Sequence, residues 1–377
     1  MRGLLYLCAL FFAVSQPAES EDANTAIVTF NSAREAGDPQ VMLSAARGLA
    51  AAAIANPERS NAALLGFEAG LTLCLVNDCE GALEVAEFAV SLTPSSNLPP
   101  IDHRVALLAL TRYSKRETRN TRKALDEALT PLIDSDPSLL SVLAFSRRLA
   151  DAVAAGKWRQ AAKSASEAAA HFEKLQDVRP DLLASARMTE ITAAFNQSPK
   201  PSQILSMARF EATYGAMRRD IHSSNEESPS WLDDAYFSAF AWRLAMTSYF
   251  DSSSRKRPTD EEIEDIIGDD VSPSAEQTVA PGALPACAGR PNYRPKLRYP
   301  TGQAFRGRIG AVVVRFKVRD SKIVEPEVLA AVPHEGFKES VLETMLKWKW
   351  ELDDDQPVRP CSPDHDNVLI PYVFSLR

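Results

Sequence analysis

The run Gly310-Ala311-Val312-Val313-Val314-Arg315-Phe316-Lys317-Val318-Arg319-Asp320-Ser321-Lys322-Ile323 decides how the end of this chain folds. Val312, Val314, Phe316 and Val318 alternate with Val313, Arg315 and Lys317, the period of a strand with one buried and one largely wet face. Arg319 to Lys322 is a polar tetrad of hairpin length, and Ile323 to Val332 predicts the returning strand. Downstream, Phe337, Val341, Leu342, Met345 and Trp348 recur at helical spacing. They predict an amphipathic helix over 334–347, ending in Trp348-Lys349-Trp350. Val368, Ile370, Tyr372 and Phe374 alternate again in a last strand over 368–376. Pro371 interrupts that strand, and because proline cannot donate to a ladder the strand is expected at a sheet edge. The expected unit is a small α+β domain, a helix packed on a three-stranded antiparallel sheet, burying Phe316, Phe337, Trp348 and Phe374.

Upstream the periodicity changes. Residues 24 to 250 are rich in alanine and poor in glycine, with apolar residues three and four apart, as at Leu139, Leu140, Leu143, Leu149 and Val153. Breaks are expected at Gly37-Asp38-Pro39, Asn56-Pro57, Pro94 to Pro100, Ser135-Asp136-Pro137, Arg179-Pro180 and Ser198 to Pro201, each carrying proline or polar turn formers. Gly70, Leu73, Ala82, Ala89 and Pro94 stand at the spacing of the tetratricopeptide (TPR) pattern, and Gly156-Lys157-Trp158 with Ala161 and Ala168 is a weaker echo. Small residues at 70, 82 and 89 would let two helices approach closely. An all-α TPR-like solenoid is the expectation, with an irregular alanine-rich bundle as the alternative.

The chain's 377 residues suit more than one domain. The expected division is a signal peptide at 1–20, the helical domain at 21–250, an acidic Pro/Ser-rich linker at 251–285 with one short acidic helical turn at 260–267, and the α+β domain at 286–377. Arg2, the apolar stretch Leu4 to Val14 and the small residues around Ala18-Glu19-Ser20 have the layout of a cleavable export signal. An uncleaved anchor, which would place the chain in the inner membrane facing the periplasm, is the alternative. Export makes disulfides the natural use of Cys74, Cys79, Cys287 and Cys361; of three connectivities, pairing by locality gives Cys74–Cys79 and Cys287–Cys361. The formal charge of −8 argues against a nucleic-acid partner. The bases between Arg290 and Lys322 could face the acidic run Asp260 to Asp265, anionic lipid or glycan, or solvent alone.

From about residue 290 to 377 the chain resembles the C-terminal domain family of the energy transducer TonB. The resemblance rests on Tyr299-Pro300, Ala304, Gly310, the alternating strand, Phe337 near the helix start, Trp348-x-Trp350 and the terminal strand. In that family the last strand recruits an extended peptide of an outer-membrane receptor. The resemblance therefore implies partner binding at Val368, Leu369, Ile370, Tyr372, Val373 and Phe374 by strand addition. The family's transducers carry an anchor and a long proline-rich spacer, where this chain has a short signal and a helical region. That favours a binding module over a transducer of force.

Signatures of catalysis are sparse. His334-Glu335 has no second histidine one turn on, and there is no Gly-x-Ser-x-Gly elbow, phosphate loop or dinucleotide fingerprint. Asp364-His365-Asp366 and Ser253-x-x-Lys256 are the only weak candidates for metal or nucleophile chemistry. The reading is a non-catalytic periplasmic protein without metal or cofactor, whose expected partner is an envelope protein such as one of the outer membrane. Membrane contact is expected only if the N-terminus is uncleaved. The alternatives are an anchored energy transducer that drives outer-membrane transport, and an unrecognised periplasmic hydrolase or metal enzyme.

Overall fold

The computed structural model describes residues 23–92, 99–224, 226–253, 255–268, 285–292, 295–301, 309–333, 336–355 and 360–374. The expected signal, Ala304 and Leu376 lie outside them. The chain divides into two compact units, residues 1–146 and 147–377.

In the first unit, α1 (Ala23–Ala36), α2 (Pro39–Ala55), α3 (Ala62–Leu75), α4 (Leu83–Ser91), α5 (Ile101–Lys115) and α6 (Arg119–Leu129) follow one another. Each packs on the next, and α2 also reaches α4, as α3 reaches α5. Breaks fall where proline and turn formers stand. Asp38 caps α2, accepting from the backbone N–H of Gln40 and Val41, with Pro39 in the first turn, where its missing N–H costs nothing. The break before α6 went unforeseen, although Thr118 and Thr121 form a reciprocal cap there. A Cβ on Gly70 would come within 3.1 Å of Leu107 and 3.3 Å of Val85, and Ala82 and Ala89 are fully buried, so the small residues do admit close helices. Cys74 at the end of α3 is bonded to Cys79 in the turn before α4.

In the second unit, α8 (Trp158–Phe172), α9 (Pro180–Gln197), α10 (Ser202–Ser223), α11 (Ser230–Ser252) and α12 (Asp260–Ile267) precede the sheet; α7 (Leu139–Ala154) contains the division between the units. The strands are β1 (Gly289–Asn292), β2 (Gly310–Arg319), β3 (Lys322–Val332), β4 (Lys349–Leu352) and β5 (His365–Phe374), with α13 (Gly336–Met345) between β3 and β4. They form one five-stranded antiparallel sheet in the order β1-β4-β3-β2-β5. Five strands replace the expected three because Trp348-Lys349-Trp350 does not end the helix. The helix stops at Met345, a turn follows, and residues from Lys349 onward pair with Gly289–Asn292.

Both faces of β2 are covered. Val312, Val314, Phe316 and Val318 join Phe337, Val341, Met345 and Trp348 in a core under α13. Ala311 and Val313 join Ala330 and Val332 in a second core against α10, α11 and α12, with Ala239, Trp242 and Met246 in it. The wet face expected for β2 is therefore dry from Ala311 to Val313, where α11 lies over it. It becomes wet at Arg315, beyond that cover. There Arg315 pairs with Glu327 at 2.7 Å, Lys317 with Glu325 at 2.6 Å, and Arg319 with Asp366. These bases are matched by acids on neighbouring strands. Within the acidic run, Glu262 accepts from the backbone N–H of the capping residue Thr259, and Asp260 pairs with Arg257. The helical turn expected at 260–267 is α12, but it is not a solvated spacer: its Ile263 is buried in the second core with Ile266 and Ile267 packed on it.

Candidate functional site

β5 ends the sheet on one side: its neighbour is β2, and no strand flanks its other edge among the described residues. Pro371 lies opposite Val313 within this strand. A proline fits an edge strand with its nitrogen turned away from the neighbour. Main-chain groups on the outward side then recur at every second residue, at Leu369, Pro371 and Val373. The outward edge is thus a usable row of donors and acceptors with one donor missing in its middle.

The side chains of the predicted pairing residues serve the fold more than a partner. Val368, Tyr372 and Phe374 are buried in the α13 core, Ile370 packs against it, and Leu369 packs against the α11 core. Val373 is the exposed member. A strand laid on β5 would find backbone groups and Val373, and little else.

Of the residues on which the expected family likeness rests, Tyr299, Phe337, Trp348 and Trp350 share one core with β5. Tyr299 meets Phe337 at 5.8 Å and Phe374 at 5.6 Å between ring centroids, both edge-on, and Phe337 meets Phe374 at 4.8 Å. Trp348 lies 5.2 Å from Tyr372 and donates its indole N–H to the carbonyl of Pro295 at 2.7 Å. Gly310 begins β2 against Phe337, and Gly289 begins β1 against Trp350; at either position a Cβ would run into the aromatic ring. Pro300 is part-buried beside Tyr299 in sequence. Edge-on aromatic packing of this kind adds about 0.5–1.5 kcal/mol per pair beyond the area buried. These motif residues hold β5 in place from below. Cys287 and Cys361 are disulfide-bonded, and the bridge Ala286↔Ser362 beside them ties the approach to β1 to the approach to β5.

In comparisons with protein-family models, curated proteins and solved structures, nothing matches this chain.

The weaker chemical candidates are held in structural roles. Asp366 pairs with Arg319, and Asp364 accepts from the backbone of Asp320 at 3.4 Å. No group of three or more potential metal ligands occurs among the described residues. The Ser253 hydroxyl donates to the carbonyl of Phe250 at 3.1 Å.

Sequence reading missed a buried charge network between α10 and α11. Arg243 grips Glu211 through two bonds of 2.6 and 3.1 Å, and Glu211 has no exposed side-chain surface. Arg218 bonds Asp233 at 2.5 Å and lies over the rings of Tyr236 and Phe237. Burial pushes the Glu211 carboxyl above the usual carboxylate range, with Arg243 opposing it. Burial also raises the Tyr236 phenol, and the Glu211 charge adds to that. Separations of 15 and 32 residues left no local signal of these pairs.

Proposed function

We propose that this chain is a non-catalytic interaction protein of a bacterial envelope that receives an extended segment of a protein partner on the outward edge of β5. The observation that carries the reading is the position of β5, last in the sheet and anchored on both faces, with no strand beyond it among the described residues. In this mode backbone bonds give affinity and side chains give register. Here the register would come from Pro371, which leaves one position without a donor, and from Val373. The successive packing of α1 to α6 supports a TPR-like platform that offers a second surface for protein contact. The N-terminal sequence favours export to the periplasm and the helical region favours a module over a force transducer. No cofactor, metal or nucleic acid enters this reading.

A proline at residue 373 tests it. Residue 373 has the parity of Pro371, so Val373→Pro removes an outward donor and leaves the bonds to β2 intact. An envelope extract passed over the full chain and over this variant should yield a protein captured by the first and lost by the second, with equal melting temperatures. Equal capture by both would overturn strand addition at β5.

A further inference from the structure

The turn between β2 and β3, the start of β4 and the start of β5 meet at one corner, and His365 is buried there with 7% of its surface exposed. Its ring lies 4.9 Å from that of Trp350, centroid to centroid. Nε2 of His365 is buried without a hydrogen-bond partner, and so is Nε1 of Trp350. Such a slot accepts a neutral imidazole and supplies no acceptor for the second N–H of an imidazolium. The same corner fastens the beginning of β5. Arg319 donates to the carbonyls of Val318 and His365, each at 2.8 Å, and pairs with Asp366. The backbone N–H of Trp350 donates to the carbonyl of Ser321 at 2.9 Å. The ladder itself is weak here: Val318↔His365 is a lone pair of partners beyond an irregularity at Phe316/Val318, whereas Gly310 to Phe316 pair with Phe374 to Val368 without a break.

We propose that His365 is an acid-sensitive latch on the edge strand: a proton on its ring drives it out of the slot beside Trp350 and releases residues 365–368 of β5 from β2. The charged groups around it are few. Arg319 of β2 opposes the proton, Asp364 in the approach to β5 favours it, Asp366 of β5 is engaged by Arg319, and Trp350 of β4 brings no charge. Burial is the leading influence and holds the imidazole below its ordinary value of 6.5. With the folded value depressed, the contribution is complete above the ordinary imidazole value. It is lost as pH falls below that value toward the folded one, because the opened strand binds the proton and the closed strand does not. The consequence for binding rests on the proposed role of β5: partner capture should weaken in acid.

Amide hydrogen exchange on the full chain at about pH 7.5 and about pH 5, corrected for intrinsic rates, reads the latch directly. Protection of residues 365–368 should fall by up to about tenfold per pH unit below the imidazole range, while that of Val312 to Val314 stays constant. His365→Phe keeps a ring in the slot and removes the proton site, so it should abolish the difference. Constant protection at 365–368, or a step that survives in His365→Phe, would overturn the latch. If that variant fails to fold, the wild-type His365 ring can be titrated by NMR; a midpoint at or above that of a free imidazole overturns the proposal. Partner capture at both pH values is a separate arm. Capture that ignores pH while the exchange step is present counts against β5 as the binding edge and leaves the latch standing.

Discussion

The Cβ that Gly310 lacks would stand 2.6 Å from Cε2 of Phe337 and 2.7 Å from the carbonyl oxygen of Val332. The first obstacle is a ring packed between Tyr299 and Phe374, and the second is main chain of the adjacent strand. Neither can step aside without moving the sheet. Gly310→Ala should therefore cost about 3 kcal/mol, the upper range for overpacking a core. Urea denaturation followed by tryptophan fluorescence, to which Trp348 and Trp350 beside this core contribute, measures it. Phe337→Leu in the same chain should return part of the loss if the ring is the main obstacle.

Asp320 and Ser321 turn the β2–β3 hairpin with φ of 50° and 58°, so both central residues lie in the left-handed region. That is the geometry of a two-residue type I′ turn, in which Asn-Gly is preferred because glycine pays no steric penalty there. Asp320→Asn with Ser321→Gly should stabilise the second unit by about 1 kcal/mol. Thermal melting checks it. An unchanged or lower melting temperature would mean that the Asp320 and Ser321 side chains hold the corner in ways the glycine cannot.

The three long strands were legible because each is ten or eleven residues rich in Val, Ile and Phe with stretches of alternation, and Pro371 marked β5 as an edge. β1 and β4 were not, because each has four residues, and one of them contains Pro291. Too few positions remain for a period to show. The double burial of β2 did leave a trace, since Ala311-Val312-Val313-Val314 is continuous and not alternating, as in strands covered on both faces. α12 was legible as a short acidic helical turn, but its charge hid its burial: Thr259 and Glu262 form a capping box, and Ile263, Ile266 and Ile267 make an apolar stripe. The candidate site was visible only as a strand. That its side chains mostly face inward depends on α13, whose apolar face the sequence does show, and on α11, which no local pattern brings over the sheet.

The shared core makes a statement about autonomy. Ala311, Val313, Ala330 and Val332 are covered by α11 and its neighbours, so residues 286–377 alone would expose them. A fragment of residues 147–377 should melt cooperatively. A fragment of residues 286–377 should bind a hydrophobic dye and aggregate, because an uncovered apolar sheet face beside an open edge invites association. A cooperative, dye-free melt of the shorter fragment would show that the sheet and α13 suffice by themselves.

Glu211 and Arg243 give the strongest pH prediction for the helical core. The carboxyl sits in a dry site that favours its neutral form, and Arg243 is the group that offsets this. Arg243→Met removes the offset and leaves a buried carboxylate unpaired, at a cost of about 3–5 kcal/mol near neutral pH. The sign follows from linkage. A carboxyl whose folded value is raised contributes stability that is complete below the ordinary carboxylate range and is lost as pH rises through the folded value. Arg243→Met should therefore be closest to wild type in mild acid and fall further behind as pH rises toward about 8. Glu211→Gln added to it removes the titrating group and should flatten that slope and recover most of the loss at high pH. Urea denaturation of the three proteins across this range is the measurement. A loss that does not depend on pH would mean that Arg243 acts through its packing on Phe240, over whose ring its guanidinium lies at 5.4 Å, and not through the charge of Glu211.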